Sequence, residues 1–435
     1  MPRGTRALAV WANGVRVGDW RLPARGVMEF QYDESWLRAD EARPLSLSLP
    51  LTLDAHAHRG TAVEAYFDNL LPDSEPIRRR LQDRFRTASR GAFDLLAAIG
   101  RDCVGAVQLL SPDEIPAPVN RIEAHALNDA AVERELGIAT SASAIADDDD
   151  FRISIAGAQE KTAFLKHNGR WCRPVGSTPT THIFKLPLGL VGNRQADMRT
   201  SVENEWLCSR IVAAYGIPVA KCEIAEFGAR KALVVARFDR VLHSGGEYWL
   251  RLMQEDFCQA TGTPNHRKYQ SDGGPGILDI ARILRASTEA ESDLATVFKA
   301  QLLFWMLAAT DGHAKNFSLR ILQGGRFQLT PLYDVLSAWP IIGKKVNELP
   351  IEKTRLAMSL PGGKPHYLLK SIQRRHFEAL GKRMGIPRVD DVINEMITKT
   401  PMVIQQVQRG LPRGFPQGLL DRVLAGLERS ARGPH

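Results

Sequence analysis

The amino-acid sequence predicts an α+β chain of two lobes, on three observations. Short period-two apolar runs fill the first 112 residues together with a few helical stretches, strand-like pieces recur up to about residue 240, and apolar residues at helical spacing dominate from 241 to 435. The chain of 435 residues is long enough for more than one domain, and it divides into a small α+β subdomain (1–112), the remainder of the N-terminal lobe (113–240) and a helical C-terminal lobe (241–435).

In order, LAVWANGVRVGDW, VMEFQYD and LSLSLPL alternate as a small antiparallel sheet whose first turn falls at Asn13-Gly14. Helical spacing follows in TAVEAYFDNLL, PIRRRLQDRF and AFDLLAAIG, before a strand in CVGAVQLL. The Pro- and Glu-rich stretch from Ser111 to Asn128 reads as a connection, and Asp147 to Asp150 as a solvated loop end. FRISIAG, KTAFLKHNGRW, THIFKLP, CEIAEFG and KALVVARFD read as five strand-like pieces, with a helix from Ser201 to Tyr215 between the third and fourth. Helices then follow in LDIARILRA, in DLATVFKAQLLFWMLAA and in amphipathic segments through Leu427.

Composition excludes more than it identifies. Five cysteines without a CxxC pair argue against a disulfide framework or structural zinc. The N-terminus has too little continuous apolar sequence for a signal peptide, and the longest helical apolar patch, Leu302 to Ala309, is too short to cross a bilayer, so the cytoplasm is the expected compartment and no membrane is involved. A net charge of +8 points to an acidic surface or nucleic acid nearby, but no helix-turn-helix or finger pattern accompanies it.

The strongest chemical signal is Asp311-Gly312-His313-Ala314-Lys315-Asn316, directly after the apolar helix QLLFWMLAAT. A carboxylate and an amide five residues apart converge if the chain between them makes a tight loop, which Gly312 permits. This is the Asp-to-Asn interval of a protein-kinase catalytic loop, and Lys315 adds a cation able to neutralise a transferring phosphoryl group. A helix-terminal Asp-Gly turn is the plainer reading. FSLRIL and RFQLT then frame Gly324-Gly325 as a hairpin that returns Asp334 beside Asn316, giving two oxygen ligands for magnesium on a nucleotide.

Upstream, small residues in Ser154-Ile155-Ala156-Gly157-Ala158-Gln159-Glu160-Lys161 let backbone N–H groups approach phosphate oxygens, or make a simple turn. Lys185, alone in the apolar run THIFKLP, needs a solvent route or an anion. Glu203 and Glu205 open a helix whose periodicity does not choose between them as partner of Lys185. Ala236, Arg237 and Phe238 end an apolar strand that recognises an adenine edge if it links the lobes; Phe238 is equally a core residue, and Arg237 to Asp239 a local charge turn. The Gly-rich stretch from Lys268 to Gly276 is an ordered loop of undecided role.

FDNLLPDSEPIRRRL, THIFKLP, ENEWLCSRI, ARFDR, QEDFCQA, KYQSDGGPGI, DGHAKNFSL and LTPLYDVLS occur in the order found in the HipA kinase-toxin family, which the chain resembles over nearly its whole length. The resemblance implies a protein-kinase-like fold and ATP- and Mg²⁺-dependent phosphorylation of a protein serine or threonine. It implies Asp311 as the catalytic aspartate, assisted by Lys315, and Asn316 and Asp334 as metal ligands. The nucleotide would be held by the loop Ala156, Gly157, Ala158, Gln159, Glu160 and Lys161, by Lys185, by His313, and at the adenine by Ala236, Arg237 and Phe238. The family often has glutamate where this chain has Ala236, so only a backbone contact carries over there.

Ser154 resembles the family's autophosphorylated serine, whose phosphate would draw on cations such as Arg152 or Lys161. The resemblance further implies a small HipB-like DNA-binding antitoxin as partner, with operator DNA met mainly through it, and an aminoacyl-tRNA synthetase as substrate, glutamyl-tRNA synthetase above all. A small-molecule kinase and a catalytically silent scaffold in a DNA complex are the other readings open to these residues.

Overall fold

The computed structural model describes residues 4–52, 56–140, 154–157 and 159–432. The chain forms two compact units, each discontinuous in sequence. Unit 1 comprises Met1–Leu186, Ala225–His266 and Leu319–Phe327, and unit 2 comprises Pro187–Ile224, Arg267–Ser318 and Gln328–His435.

Unit 1 begins with the predicted hairpin. Arg6–Ala12 pairs antiparallel with Val15–Leu22, and Asn13 and Gly14 both take positive φ (48° and 81°), as a two-residue turn matching the strand twist requires. Glu29–Tyr32, His58–Arg59 and Val107–Leu110 complete a five-stranded sheet. Trp20 stacks on Phe67 of the helix Thr61–Asp68 at 3.9 Å and tilts onto Phe93 of the helix Ala92–Ile99 at 4.9 Å. The LSLSLPL run departs from its expected strand: Ser46 bridges back to Leu49, and Tyr32 Oη closes the turn by accepting from Leu45 N and donating to Leu49 O. Alternation alone does not tell a strand from a turn stapled by a neighbouring phenol.

The second sheet of the chain runs in the order Cys222–Phe227, Arg230–Ala236, His182–Lys185, Lys161–His167, Arg170–Pro174 and Ala124–Leu127. Its last strand lies in the Pro- and Glu-rich stretch expected to be a connection; it pairs antiparallel with Arg170–Pro174 at the sheet edge, with none of its four residues buried. The helix Asp129–Thr140 follows and sets Val132 and Leu136 against Phe164, Phe184 and Val234. Of the strand expected at FRISIAG, residues 151–153 lie outside the described residues, and Ser154–Ala156 are not in a strand.

Unit 1 also holds a buried ionic cluster of three guanidiniums and two carboxylates. Arg237 makes a two-pronged pair with Asp239 (2.9 and 2.7 Å), while Arg240 and Arg251 reach Asp102 at 2.9 and 3.0 Å. Thr180 Oγ1 and N also donate to Asp102, at 2.6 and 3.1 Å. These cations hold the Asp102 and Asp239 carboxyls below the usual carboxylate range although burial pushes the other way.

Unit 2 is mainly helical, as its sequence pattern predicts. The helix Ser201–Ala214 is buried nearly all round, Glu203 and Glu205 included, which is why no single apolar face was legible in it. Ile277–Leu284, Ala290–Met306, Arg374–Met384, Val389–Arg409 and Gln417–Ala431 supply most of the rest. A hairpin of Arg355–Leu360 and His366–Leu368 was not foreseen. Among the described residues no helix is long and apolar enough to cross a membrane.

Candidate active site

In unit 2 the helix Ala290–Met306 delivers the chain into a tight loop. Ala308 takes the left-handed conformation (φ 49°) and its carbonyl accepts from Ala338 N at 3.1 Å, so the loop leaves the helix tied to a later segment. A Cβ on Gly312 would lie 2.4 Å from the ring of Phe304, so only glycine lets the backbone pass this close. His313 N donates to Asp311 O at 2.8 Å, and a 3-10 turn over Ala314–Asn316 closes when Asn316 N donates to His313 O at 2.9 Å. The carboxylate of Asp311 stands in solvent, 60% exposed, while His313, Lys315 and Asn316 are buried.

The amide of Asn316 is oriented from both ends. Its Oδ1 accepts from His313 N at 3.1 Å and its Nδ2 donates to the backbone oxygen of Asp334 at 3.4 Å. A carbonyl oxygen has a second lone pair, so Oδ1 remains able to meet a cation. Asp334 takes φ 61°, unusual for a residue with a side chain, so its backbone is held in a sparsely populated conformation beside Asn316. Tyr333 Oη donates to Lys315 O at 2.7 Å and meets Ser318 Oγ at 2.5 Å, joining the two halves of the loop.

Two residues that the sequence did not single out hold this arrangement. Asn204 makes a reciprocal pair with Ser337, donating to its carbonyl at 2.8 Å and accepting from its N–H at 3.0 Å, three residues past Asp334. It lies between Glu203 and Glu205, and its helical neighbours Leu207, Cys208 and Ile211 are buried; a polar residue on that line was the available signal. Tyr269, from the Gly-rich loop of undecided role, donates its phenolic hydrogen to Asp311 Oδ1 and sets its ring edge-on against His313, 5.0 Å between centroids. No periodicity connects it with Asp311, 42 positions away.

In unit 1 the nucleotide-loop candidates gather around two lysines. Lys161 and Lys185 are direct partners on adjacent antiparallel strands, so both project from the same face of the sheet. Lys185 is buried. Gly157 takes φ 113°, and a Cβ there would lie 2.5 Å from Lys161 Nζ, so the glycine makes room for the ammonium against the backbone. The loop is fastened at several points: Asp73 N donates to Gly157 O (3.1 Å), Leu186 N to Glu160 O (3.1 Å), Gln159 Nε2 to Leu186 O, and Arg80 pairs with Glu160. Ala156 is half-buried in the same loop, and Ala158 lies outside the described residues.

Ser154 is fully buried, its Oγ donating to Leu70 O at 2.8 Å and its N–H to Asp102 O at 3.1 Å. Arg152, weighed as a phosphate partner, lies outside the described residues. Ala236, Arg237 and Phe238 lie within unit 1, which continues to His266. The Arg237 guanidinium is occupied by Asp239, Thr180 and Cys103 O, and Ala236 and Phe238 are half-buried.

Among the described residues no group of three or more His, Cys, Asp or Glu is gathered as for a metal held by protein alone. Magnesium bound with a nucleotide needs less, because phosphates and water fill most of its six positions. An oriented amide oxygen at Asn316 with a carboxylate at Asp334 is a donor set of that kind.

The family comparisons agree with this architecture. Residues 8–110 match the family described as HipA N-terminal domain, and residues 153–404 match the HipA-like C-terminal domain. Y4mE of Sinorhizobium fredii is 34% identical over 347 residues, covering 78% of this chain and 80% of Y4mE. The serine/threonine-protein kinase toxin HipA of Shewanella oneidensis is 27% identical over 324 residues, covering 70% and 69%. The solved structure of Shewanella oneidensis HipA with HipB and operator DNA superposes with a TM-score of 0.77 over 97% of each chain at 21% identity, a likeness of fold. With both of its domains matched in order and a relative this similar over most of the length, the chain belongs to the HipA family.

Proposed function

We propose that the chain is an ATP- and Mg²⁺-dependent serine/threonine protein kinase, the toxin of a type II toxin–antitoxin pair. The observation that carries the proposal is the loop from Asp311 to Asn316, in which an exposed carboxylate precedes a buried lysine and an amide oriented against Asp334. In this reading Asp311 accepts a hydrogen bond from the serine or threonine hydroxyl of the acceptor and takes its proton as the oxygen bonds to the γ-phosphorus, while the bond from that phosphorus to the β,γ-bridging oxygen breaks and ADP leaves with that oxygen. Lys315 offsets negative charge on the transferring group, and Asn316 and Asp334 hold magnesium. Bound Mg-ATP supplies the γ-phosphoryl group and a cation on its phosphates.

Lys161 and Lys185 bind those phosphates. They are partners in register on adjacent strands and share one face of the sheet, so both ammonium groups reach one polyphosphate. Ala156 to Lys161 contribute backbone N–H groups and His313 lies on the nucleotide side, while Ala236 to Phe238 meet the adenine through the backbone, since the Arg237 side chain is already paired. Ser154 is the site of autophosphorylation. The acceptor protein is an aminoacyl-tRNA synthetase, glutamyl-tRNA synthetase first among them, and a HipB-like antitoxin brings the cytoplasmic kinase to operator DNA and so to the nucleoid.

Incubating wild type and Asp311→Asn with γ-labelled ATP, magnesium and cell extract tests this reading. Wild type is expected to label itself and an acceptor band, and Asp311→Asn and a chelator-treated sample to label neither. Undiminished labelling by Asp311→Asn would remove Asp311 from the chemistry.

A further inference from the structure

Asp311 is surface-exposed, and an exposed carboxylate ordinarily samples several rotamers. Here one of its oxygens is taken. Tyr269 donates to Oδ1, and His313 Nε2 lies 3.8 Å from the same oxygen, so both neighbours address one side of the carboxylate.

The phenol is itself held. Gly274 N and Asp272 N both donate to Tyr269 O at 3.0 Å, folding the loop back on Tyr269, and a Cβ at Gly274 would lie 1.9 Å from Arg267 O, so the fold-back needs glycine. The next side chain, Gln270, accepts from Ser359 N at 2.7 Å and Ser359 Oγ at 3.1 Å and packs so closely on Gly276 that a Cβ there would lie 2.6 Å from its amide. The loop is thus folded back on the tyrosine and pinned, through the adjacent Gln270, to a strand that takes no part in the proposed chemistry.

We infer that Tyr269 is a positioning residue for phosphoryl transfer: its hydroxyl fixes the Asp311 carboxylate through Oδ1, so that Oδ2 is the oxygen presented to the acceptor hydroxyl. The inference rests on the reading of Asp311 as catalytic carboxylate. A base that must meet one oxygen of an incoming side chain gains from a single orientation, because a displacement of about 1 Å is enough to cost a hundredfold in rate. The Gly-rich loop thereby acquires a role: it is the rigid mount of that phenol.

Tyr269→Phe removes the donor and keeps the ring edge on His313. In the labelled-ATP assay it is expected to lower kcat by about 10- to 100-fold with KM for ATP unchanged within about twofold. A variant that merely folded less well would lose active fraction, and its kcat referred to the folded fraction would stay at the wild-type value. Gln270→Leu, which keeps the hydroxyl and loosens its mount, is expected to fall between wild type and Tyr269→Phe; should Tyr269→Phe melt early, it decides alone. Wild-type kcat in the folded variants would overturn the role of Tyr269 while an inactive Asp311→Asn upheld the kinase, whereas an active Asp311→Asn would sink the parent reading.

Discussion

At Gly312 the loop backbone runs so close to the Phe304 ring that a methyl group has nowhere to go. Gly312→Ala must push either the ring or the loop, and the ring belongs to a buried aromatic pair with Phe317 at 5.8 Å. Overpacking of this kind costs about 1–3 kcal/mol, and the strain falls beside Asp311. Gly312→Ala is therefore expected to lose at least about tenfold in phosphoryl transfer with a lowered melting temperature, and Phe304→Leu in the same chain to return part of both. Equal activity in Gly312→Ala and wild type would show that the loop does not need this backbone position. The sequence reading assigned Gly312 a permissive role in a tight loop; it did not reveal Phe304, eight positions earlier, as the reason.

Elements were legible where one physical signal decided them. The Asn13-Gly14 hairpin and the helix Ala290–Met306 follow from turn chemistry and apolar spacing, and both stand where those place them. Ala124–Leu127 was not legible, because a four-residue edge strand closing a Pro- and Glu-rich stretch looks like a connection until its partner is known. The pairing of Lys161 with Lys185 was hidden for the same reason: each lysine was visible, but register between strands is not written in either strand alone.

The segment Ser154–Lys161 carries the prediction that belongs to this scale. Its anchor is a buried hydroxyl donating to Leu70 O, and a phosphate, which at neutral pH offers acceptors and charge, cannot make that bond or remain in that pocket. Ser154→Asp places a carboxylate charge in that buried seat and is expected to unseat the segment, raising hydrogen exchange across it and weakening ATP binding. Ser154→Ala, which leaves a carbonyl short of one partner, should cost about 1 kcal/mol and keep exchange near wild type. Indistinguishable exchange in Ser154→Asp and wild type would mean that the seat tolerates a charge at this position.

Over the whole molecule, two buried acidic groups of unit 1 pull the pH dependence of stability in opposite directions. Asp102 is held well below the ordinary carboxylate range by Arg240, Arg251 and Arg237 against the push of burial, so the stability it supplies is present above the unfolded carboxyl value of about 4 and is lost as pH falls. Glu255, fully buried, is raised to about 8 because burial outweighs the hydrogen bonds from Ser46 and Leu47. Its folded form keeps a proton that the unfolded chain releases above about 4, so stability falls as pH climbs toward 8 and then levels.

The melting temperature is therefore expected to peak on the mildly acidic side, about pH 4–5, and to decline toward pH 8. Glu255→Gln, neutral at every pH, should flatten that decline and melt higher than wild type at pH 8. Asp102→Asn leaves three buried guanidiniums facing the single carboxylate of Asp239 and should lose about 3–5 kcal/mol at pH 7 in chemical denaturation, with a shallower acid limb. A Glu255→Gln profile parallel to wild type from pH 5 to 8 would mean that Glu255 is already ionised in the folded chain, and the decline would then need another titrating group.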